Sequence, residues 1–181
     1  MMPLAYCHFE TPLGRCGIAW RETGEANKTP AVCFFQLPEA TPEQTEAKTA
    51  QYCGTPQASR PPAEISGLIQ RVCKHLAGEL QDFQDIVTDL SGIGAFSQQV
   101  YAAVRGIPAG QTRTYGEVAK VLHRASAARA VGQALARNPI TLIIPCHRVL
   151  AASGKLGGFS AHGGVEIKAR MLAIEGVAID K

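Results

Sequence analysis

An apolar run closed by a proline and a cysteine does most to limit what this chain can become: Asn138-Pro-Ile-Thr-Leu-Ile-Ile-Pro-Cys-His-Arg-Val-Leu150. Thr141 to Ile144 have the apolar and β-branched character of a buried extended segment. Pro145 fixes its own φ and favours an extended Ile144. The pattern predicts a stiff stem that carries the Cys146 thiol to the floor of a pocket. An inert core thiol is the competing reading, since free cysteine is among the most buried residue types. A thiol becomes a nucleophile as thiolate, and a nearby His, Arg or Lys favours that form. His147 and Arg148 place two such neighbours beside Cys146.

The rest of the chain must build the pocket. Its 181 residues allow one domain or two small ones, and 46% apolar content is ample for a core. No apolar run is long enough for a membrane span, and Met1 to Ala5 lack the basic and apolar regions of a signal peptide. The six cysteines are scattered at 7, 16, 33, 53, 73 and 146. Reduced thiols in a cytoplasmic protein are therefore expected. No Cys-x-x-Cys or close Cys/His quartet occurs, so no metal is expected. Charge is uneven. Residues 1–95 hold 7 Lys and Arg against 11 Asp and Glu, whereas residues 96–181 hold 11 against 4. Basic charge gathered in one half fits either a polyanion-binding surface or a solvated face.

Residues 5–9, 15–20 and 31–36 read as strands, the first two joined by Thr11-Pro12-Leu13-Gly14. Arg21 to Pro30 reads as a loose loop. Thr41, Pro42 and Gln44 form a helix start with a capping box, and that helix stops by Gly54. Residues 55–62 read as a linker. Ile65, Leu68, Ile69, Val72 and Leu76 fall on one face of a second helix that stops at Gly78. Residues 79–90 are candidates for a further strand. This predicts a small α+β domain over 1–90, with Leu90-Ser-Gly-Ile-Gly-Ala95 as the boundary to a mostly helical domain over 91–181.

In the second part, Phe96, Val100 and Val104 mark a helix that ends at Ile107-Pro-Ala-Gly110. Thr114 and Glu117 form a capping box for a short helix reaching about Leu122. A three-residue link leads to Ser126, an N-cap candidate, and a second helix to about Arg137. That is a helix-turn-helix pattern. Ala127, Ala128, Ala130, Gly132, Ala134 and Ala136 are small. They suit close packing on another helix, or entry to a narrow groove with Arg129, Gln133 and Arg137 reaching phosphates or bases. Ser153 to Gly164 is a glycine-rich loop without the Lys-Ser/Thr ending of a P-loop, and it reads as a pocket wall. A final helix runs from Val165 to about Glu175, with Ala169 and Leu172 inward.

Pro145-Cys-His-Arg-Val149 resembles the active-site signature of the O6-alkylguanine-DNA alkyltransferases, the methylated-DNA–protein-cysteine methyltransferases. Thr114-Tyr-Gly-Glu-Val-Ala119, Ala128-Arg-Ala-Val-Gly132, Asn138-Pro139 and Ile174-Glu-Gly176 are similar to the same family, in its order and nearly its spacing. The similarity runs from about Phe96 to Gly176, and in the first half only Thr11 to Gly14 matches. The resemblance implies a ribonuclease-H-like first domain and a winged-helix-like second one. It implies a suicide enzyme, probing double-stranded DNA for alkylated guanine or thymine as a monomer. Cys146, His147, Glu175 and Asn138 would be catalytic, with a water-mediated Cys–His–Glu relay and Asn138 as the hinge. Arg129 would be the intercalating finger, and Tyr115 would rotate the nucleotide out. Arg124, Ala127, Gln133 and Ser97 would complete the DNA contacts. Cys146 and Val149 carbonyls and the Ser160 amide would read the base edge, between apolar walls of Leu135 and Phe159. Phe159 stands where many relatives have tyrosine, and the loop 160–164 is two residues longer than in some members. Both differences bear on pocket size and alkyl preference.

The chemistry is consistent with the residues. Alkyl transfer from a base oxygen is an in-line displacement at carbon, suited to a thiolate and requiring no cofactor. Successive residues on a regular strand point to opposite sides, so either the chain turns at Cys146 or a water joins it to His147. Without the resemblance, Glu175 would read as an exposed residue at a helix end, where a carboxylate is poorly placed for the helix dipole. Three other functions compete: a non-catalytic lesion-binding protein, a helix-turn-helix transcriptional regulator, and a Cys-His-Glu thiol hydrolase. Cys146 speaks against the first, the buried Pro-Cys-His-Arg segment against the second, and the basic second half against the third.

Overall fold

Short β-branched and aromatic runs separated by turn residues make the first half a three-stranded antiparallel meander. The computed structural model describes residues 4–22, 29–55 and 57–179. Strands β1 (Leu4–Thr11), β2 (Gly14–Arg21) and β3 (Ala31–Gln36) lie in the order β1-β2-β3. Ala5 pairs with Trp20 and Thr11 with Gly14, so Pro12 and Leu13 form a two-residue hairpin loop. Thr11 Oγ1 donates to Gly14 O (2.7 Å) and accepts from Leu13 N–H (3.2 Å). Helix α1 (Pro42–Cys53) starts where Thr41 Oγ1 accepts from Gln44 N–H, and ends at Gly54 in the left-handed region, φ +67°. Helix α2 (Ala63–Leu76) buries Ile65, Leu68, Val72 and Leu76, while Ile69 is half-buried. Cys7, Cys16 and Cys33 are buried here, Cys53 and Cys73 partly so, and all five are free thiols. Most of the expected 21–30 loop, and Pro56 of the expected linker, lie outside the described residues.

The expected strand over 79–90 does not form. Thr88 alone makes a bridge to Val32, with Val32 N–H donating to Val87 O (2.9 Å) and Asp89 N–H to Val32 O (2.8 Å). Gln81, Asp82, Gln84 and Asp85 interrupt any apolar alternation there.

The chain divides into two compact units. The first takes in residues up to Gln81, Asp85–Asp89 and Pro139–Thr141; the second takes in Asp82–Gln84, Leu90–Asn138 and Leu142 onward. The first unit therefore recruits three residues from the far end of the chain. Phe35 N–H donates to Pro139 O (2.8 Å), and Thr141 Oγ1 donates to Phe35 O (2.7 Å).

The second unit holds α3 (Ala95–Arg105), β4 (Arg113–Thr114), α4 (Tyr115–Val121), α5 (Ala128–Ala136), a 3-10 turn at Cys146–Arg148, β5 (Val149–Leu150) and α6 (Gly164–Ile174). Strands β4 and β5 pair in parallel, Arg113 with Val149 and Thr114 with Leu150. Val100, Tyr101 and Val104 of α3 are buried, as are Val131, Ala134 and Leu135 of α5. The Thr114 capping box is complete: Glu117 N–H donates to Thr114 Oγ1 (3.1 Å) and Thr114 N–H to Glu117 Oε2 (2.6 Å). Thr114→Ala is expected to cost about 1 kcal/mol of stability, read as a lower urea midpoint at unchanged slope.

Three expectations change in this unit. Ser126 does not cap α5. The helix begins after Ala127, which makes no side-chain cap, and the link spans residues 122–127. His123 takes a left-handed φ of +56°, and Arg124 N–H donates to Ala119 O (2.9 Å). A backbone-bonded turn has replaced the side-chain cap. Second, the run through Ile144 is buried but not extended, because Leu142 turns at φ +72°. Apolar periodicity cannot distinguish a buried strand from a buried turn. Third, α6 turns Lys168, Met171 and Leu172 inward, while Ala169 is only half-buried.

Candidate active site

Pro145 hands the chain into the 3-10 turn Cys146–Arg148, and the sharp local winding separates three polar side chains that a strand would alternate. Cys146 is 5% exposed and His147 fully buried. Asn138, just past α5, donates through Nδ2 to Ile144 O (2.8 Å) and to Cys146 Sγ (3.3 Å). One amide thus ties the helix end to the turn that carries the thiol. Burial pushes the Cys146 thiol up from its ordinary pKa. The Asn138 hydrogen bond, the Lys168 charge and the backbone N–H groups of Cys146 and His147 act in the opposite direction.

Behind the thiol lies a dry ionic cluster. His147 Nε2 is 2.8 Å from Glu175 Oε1. Arg148 donates through Nε to Glu175 Oε2 (3.0 Å), through Nη2 to Oε1 (2.8 Å), and through Nη1 to Ile107 O. Glu175 is 4% exposed, so the expectation of an exposed helix-end carboxylate in the absence of a partner does not hold. A carboxylate only accepts hydrogen bonds, so Nε2 carries the hydrogen and the other ring nitrogen of His147 is the basic one. Gly110 makes room for this cluster. Its φ is +81°, and a Cβ there would meet Glu175 O at 3.2 Å.

A cavity of about 400 Å³ opens over the thiol, lined by Tyr115, Gly132, Leu135, Ala136, Cys146, Gly158, Phe159 and Ser160. That size is ordinary for a small-ligand pocket. The structure thus brings Cys146, Tyr115, Leu135, Phe159 and Ser160 to one place. Val149 is fully buried, and its carbonyl accepts from Lys168 Nζ (2.6 Å). Arg129 and Gln133 are exposed on α5, as is Arg137 just beyond it. Arg124 is exposed, with its guanidinium 5.3 Å from the Phe96 ring centroid. Ala127 and Ser97 are half-buried and lie outside the cavity lining. Arg148, read in sequence as a cation beside the thiol, instead faces Glu175. Lys168, which sequence reasoning missed, is the cation whose charge acts on Cys146. Its only signal was a lysine on the face of the last helix shared with Met171 and Leu172 at i+3 and i+4. Among the described residues, no group of three or more His, Cys, Asp or Glu could hold a metal ion. No helix there is long and apolar enough to cross a membrane.

Residues 95–177 match the family model described as 6-O-methylguanine DNA methyltransferase, DNA binding domain. The chain is also 45% identical over 114 residues to the methylated-DNA–protein-cysteine methyltransferase of Mycolicibacterium paratuberculosis, covering 63% of this chain and 67% of that protein. It belongs to the methylated-DNA–protein-cysteine methyltransferase family. Among solved structures, it is similar to the crystal structure of Mycobacterium tuberculosis OGT in complex with DNA, with a TM-score of 0.72 and 33% identity. That match covers 95% of this chain and 93% of the other. The O6-methylguanine-DNA methyltransferase from Pyrococcus kodakaraensis gives a TM-score of 0.69 at 25% identity, over 96% of this chain and 99% of that one. These full-length matches establish a mixed α+β fold. The methyltransferase family match takes in every residue of the cavity and the Arg148–Glu175 cluster.

Proposed function

We propose that the chain reverses DNA alkylation directly. It moves a methyl or larger alkyl group from O6 of guanine, or O4 of thymine, to Cys146 Sγ in one irreversible turnover. The observation that carries this reading is the Cys146 thiol on the floor of a cavity walled by Tyr115, Leu135 and Phe159, with His147–Glu175 behind it. A base inside duplex DNA must leave the stack to reach such a cavity. Arg129 fills the gap it leaves, and Tyr115 guides it in. Arg124, Ala127, Gln133 and Ser97 contact the DNA. Helices α4 and α5 act as the helix-turn-helix in the minor groove, where readout is nearly blind to sequence. This suits a search for damage at any position.

In the reaction, His147 takes the thiol proton through a bridging water, and Glu175 holds the imidazole. The Sγ–carbon bond forms as the carbon–O6 bond breaks, and its electron pair stays on the base. The freed guanine takes up one proton at N1, which balances the one lost by the thiol. The thioether product is stable, so each molecule acts once. The chain works as a monomer on double-stranded DNA in the cytoplasm. Residues 1–90 form a ribonuclease-H-like domain, and residues 91–181 a winged-helix-like domain that binds DNA and transfers the alkyl group.

Intact and peptide mass spectrometry after mixing with excess O6-methylguanine duplex tests the reading. One methyl gained per molecule, on the peptide bearing Cys146, is expected. Tight lesion binding with no mass gain would support a lesion-binding protein instead, and neither binding nor gain would remove both.

A further inference from the structure

A lysine with no exposed surface lies just behind the cavity wall. Lys168 projects inward from α6 and is 0% exposed. Its Nζ donates to Val149 O (2.6 Å) and to Gly158 O (3.4 Å), joining the strand after the nucleophile to the glycine-rich loop. It also lies 5.9 Å from the Tyr115 ring centroid and 6.0 Å from that of Phe159, both walls of the cavity. An ammonium is costly to bury without an anion nearby, and neither of its carbonyl partners is one.

The charges packed around the thiol narrow the choice of anion. Arg148 and Glu175 neutralise each other, and His147 is turned to Glu175. Tyr101 of α3 and Tyr115 of α4 are both pushed up by burial, which keeps them neutral. Arg137, which also acts on Tyr101, is exposed. Cys146 is the acidic group whose charge acts on Lys168, and Lys168 is the cation whose charge acts on Cys146.

We propose that Lys168 is a positioning residue for this reaction: its buried ammonium is the counterion that holds Cys146 as thiolate. It also fixes Gly158 and Phe159 against the strand that follows the nucleophile. The proposal rests on the reading of Cys146 as the alkyl acceptor. Burial lowers the Lys168 pKa to about 8, so the ammonium is still charged at neutral pH. When the thiolate is consumed, the neutral thioether leaves this cation without its anion. Unfolded, Lys168 would keep its proton to about 10.5. Between those values the unfolded chain binds more protons, so this group raises stability as pH rises from about 8 to 10.5.

The test measures Cys146 alkylation by iodoacetamide from pH 5 to 10, by peptide mass spectrometry, in the parent, Lys168→Met and Lys168→Arg. Thiolate sulfur displaces iodide, and the thiol proton goes to solvent, so the rate follows thiolate fraction. In Lys168→Met the profile is expected to move up by at least about one pH unit, roughly a tenfold slower rate at pH 7. Lys168→Arg should restore most of it. An unchanged Met profile would overturn the proposal, as would equal shifts in Met and Arg. Thermal melts on the same proteins separate folding from charge: the parent should gain on Lys168→Met as pH rises from about 8 to 10.5. A constant difference across that window would also overturn it. DNA takes no part in the iodoacetamide readout, so a failed methyl transfer from DNA would sink the repair reading without altering this result.

Discussion

Cys146→Ala carries no methyl group away from O6-methylguanine duplex, although it still binds the lesion. The cavity offers no second nucleophile in its lining, where Tyr115 and Ser160 are the other residues bearing hydroxyls. Tyr115 is held protonated by burial, and serine is a weak nucleophile without an adjacent base. The loss is therefore complete rather than partial. Alanine removes the sulfur that accepts from Asn138 Nδ2, but that amide keeps Ile144 O at 2.8 Å. The turn should survive, and affinity for the lesion should change little. Intact mass and a fluorescence-anisotropy titration on the same protein provide both readings. A methyl found on any peptide lacking residue 146 would transfer the acceptor role elsewhere.

Arg148→Met is expected to destabilise the protein by about 3–5 kcal/mol, the usual cost of removing one member of a buried ion pair. The guanidinium makes three hydrogen bonds in a site 0–6% exposed, two of them to Glu175. Without it the Glu175 carboxylate keeps His147 and a long contact to Gly110 N–H (3.5 Å). Replacing both charges removes the stranded anion, so Arg148→Met with Glu175→Leu should recover much of the loss. Urea unfolding of the two single variants and the double variant measures this. A double variant no more stable than Arg148→Met would show that lost packing, not an unpaired charge, sets the cost. Neither protein should transfer methyl at the parent rate, because His147 then lacks its ordered partner.

The parts of this molecule legible in sequence are those set by local chemistry. Alternation and turn residues marked the three strands, and Thr114 with Glu117 marked the start of α4. Cys146 was legible because Pro145, His147 and Arg148 flank it. What failed depended on backbone geometry or on distant partners. The left-handed φ of Leu142 turned an apparent strand into a buried turn. Arg148 looked like a neighbour of the thiol in sequence, yet its charge is taken by a carboxylate 27 residues away. Lys168 carried no motif of its own. Its place behind Tyr115 and Phe159 follows only from where α6 packs.

The five thiols outside the cavity bear on selectivity. A protein that is spent by one S-alkylation has a stake in what its other sulfurs do. Burial pushes Cys7 and Cys53 up to about 11, Cys16 and Cys33 up to about 12, and Cys73 in the same direction. Thiolate is the reactive form, so at neutral pH all five are nearly inert toward electrophiles in solution. Of the six sulfurs, only Cys146 has an amide, a lysine and two backbone N–H groups opposing its burial. Stray alkylating agents therefore meet a chain with one answerable sulfur, recessed in a cavity shaped for a base.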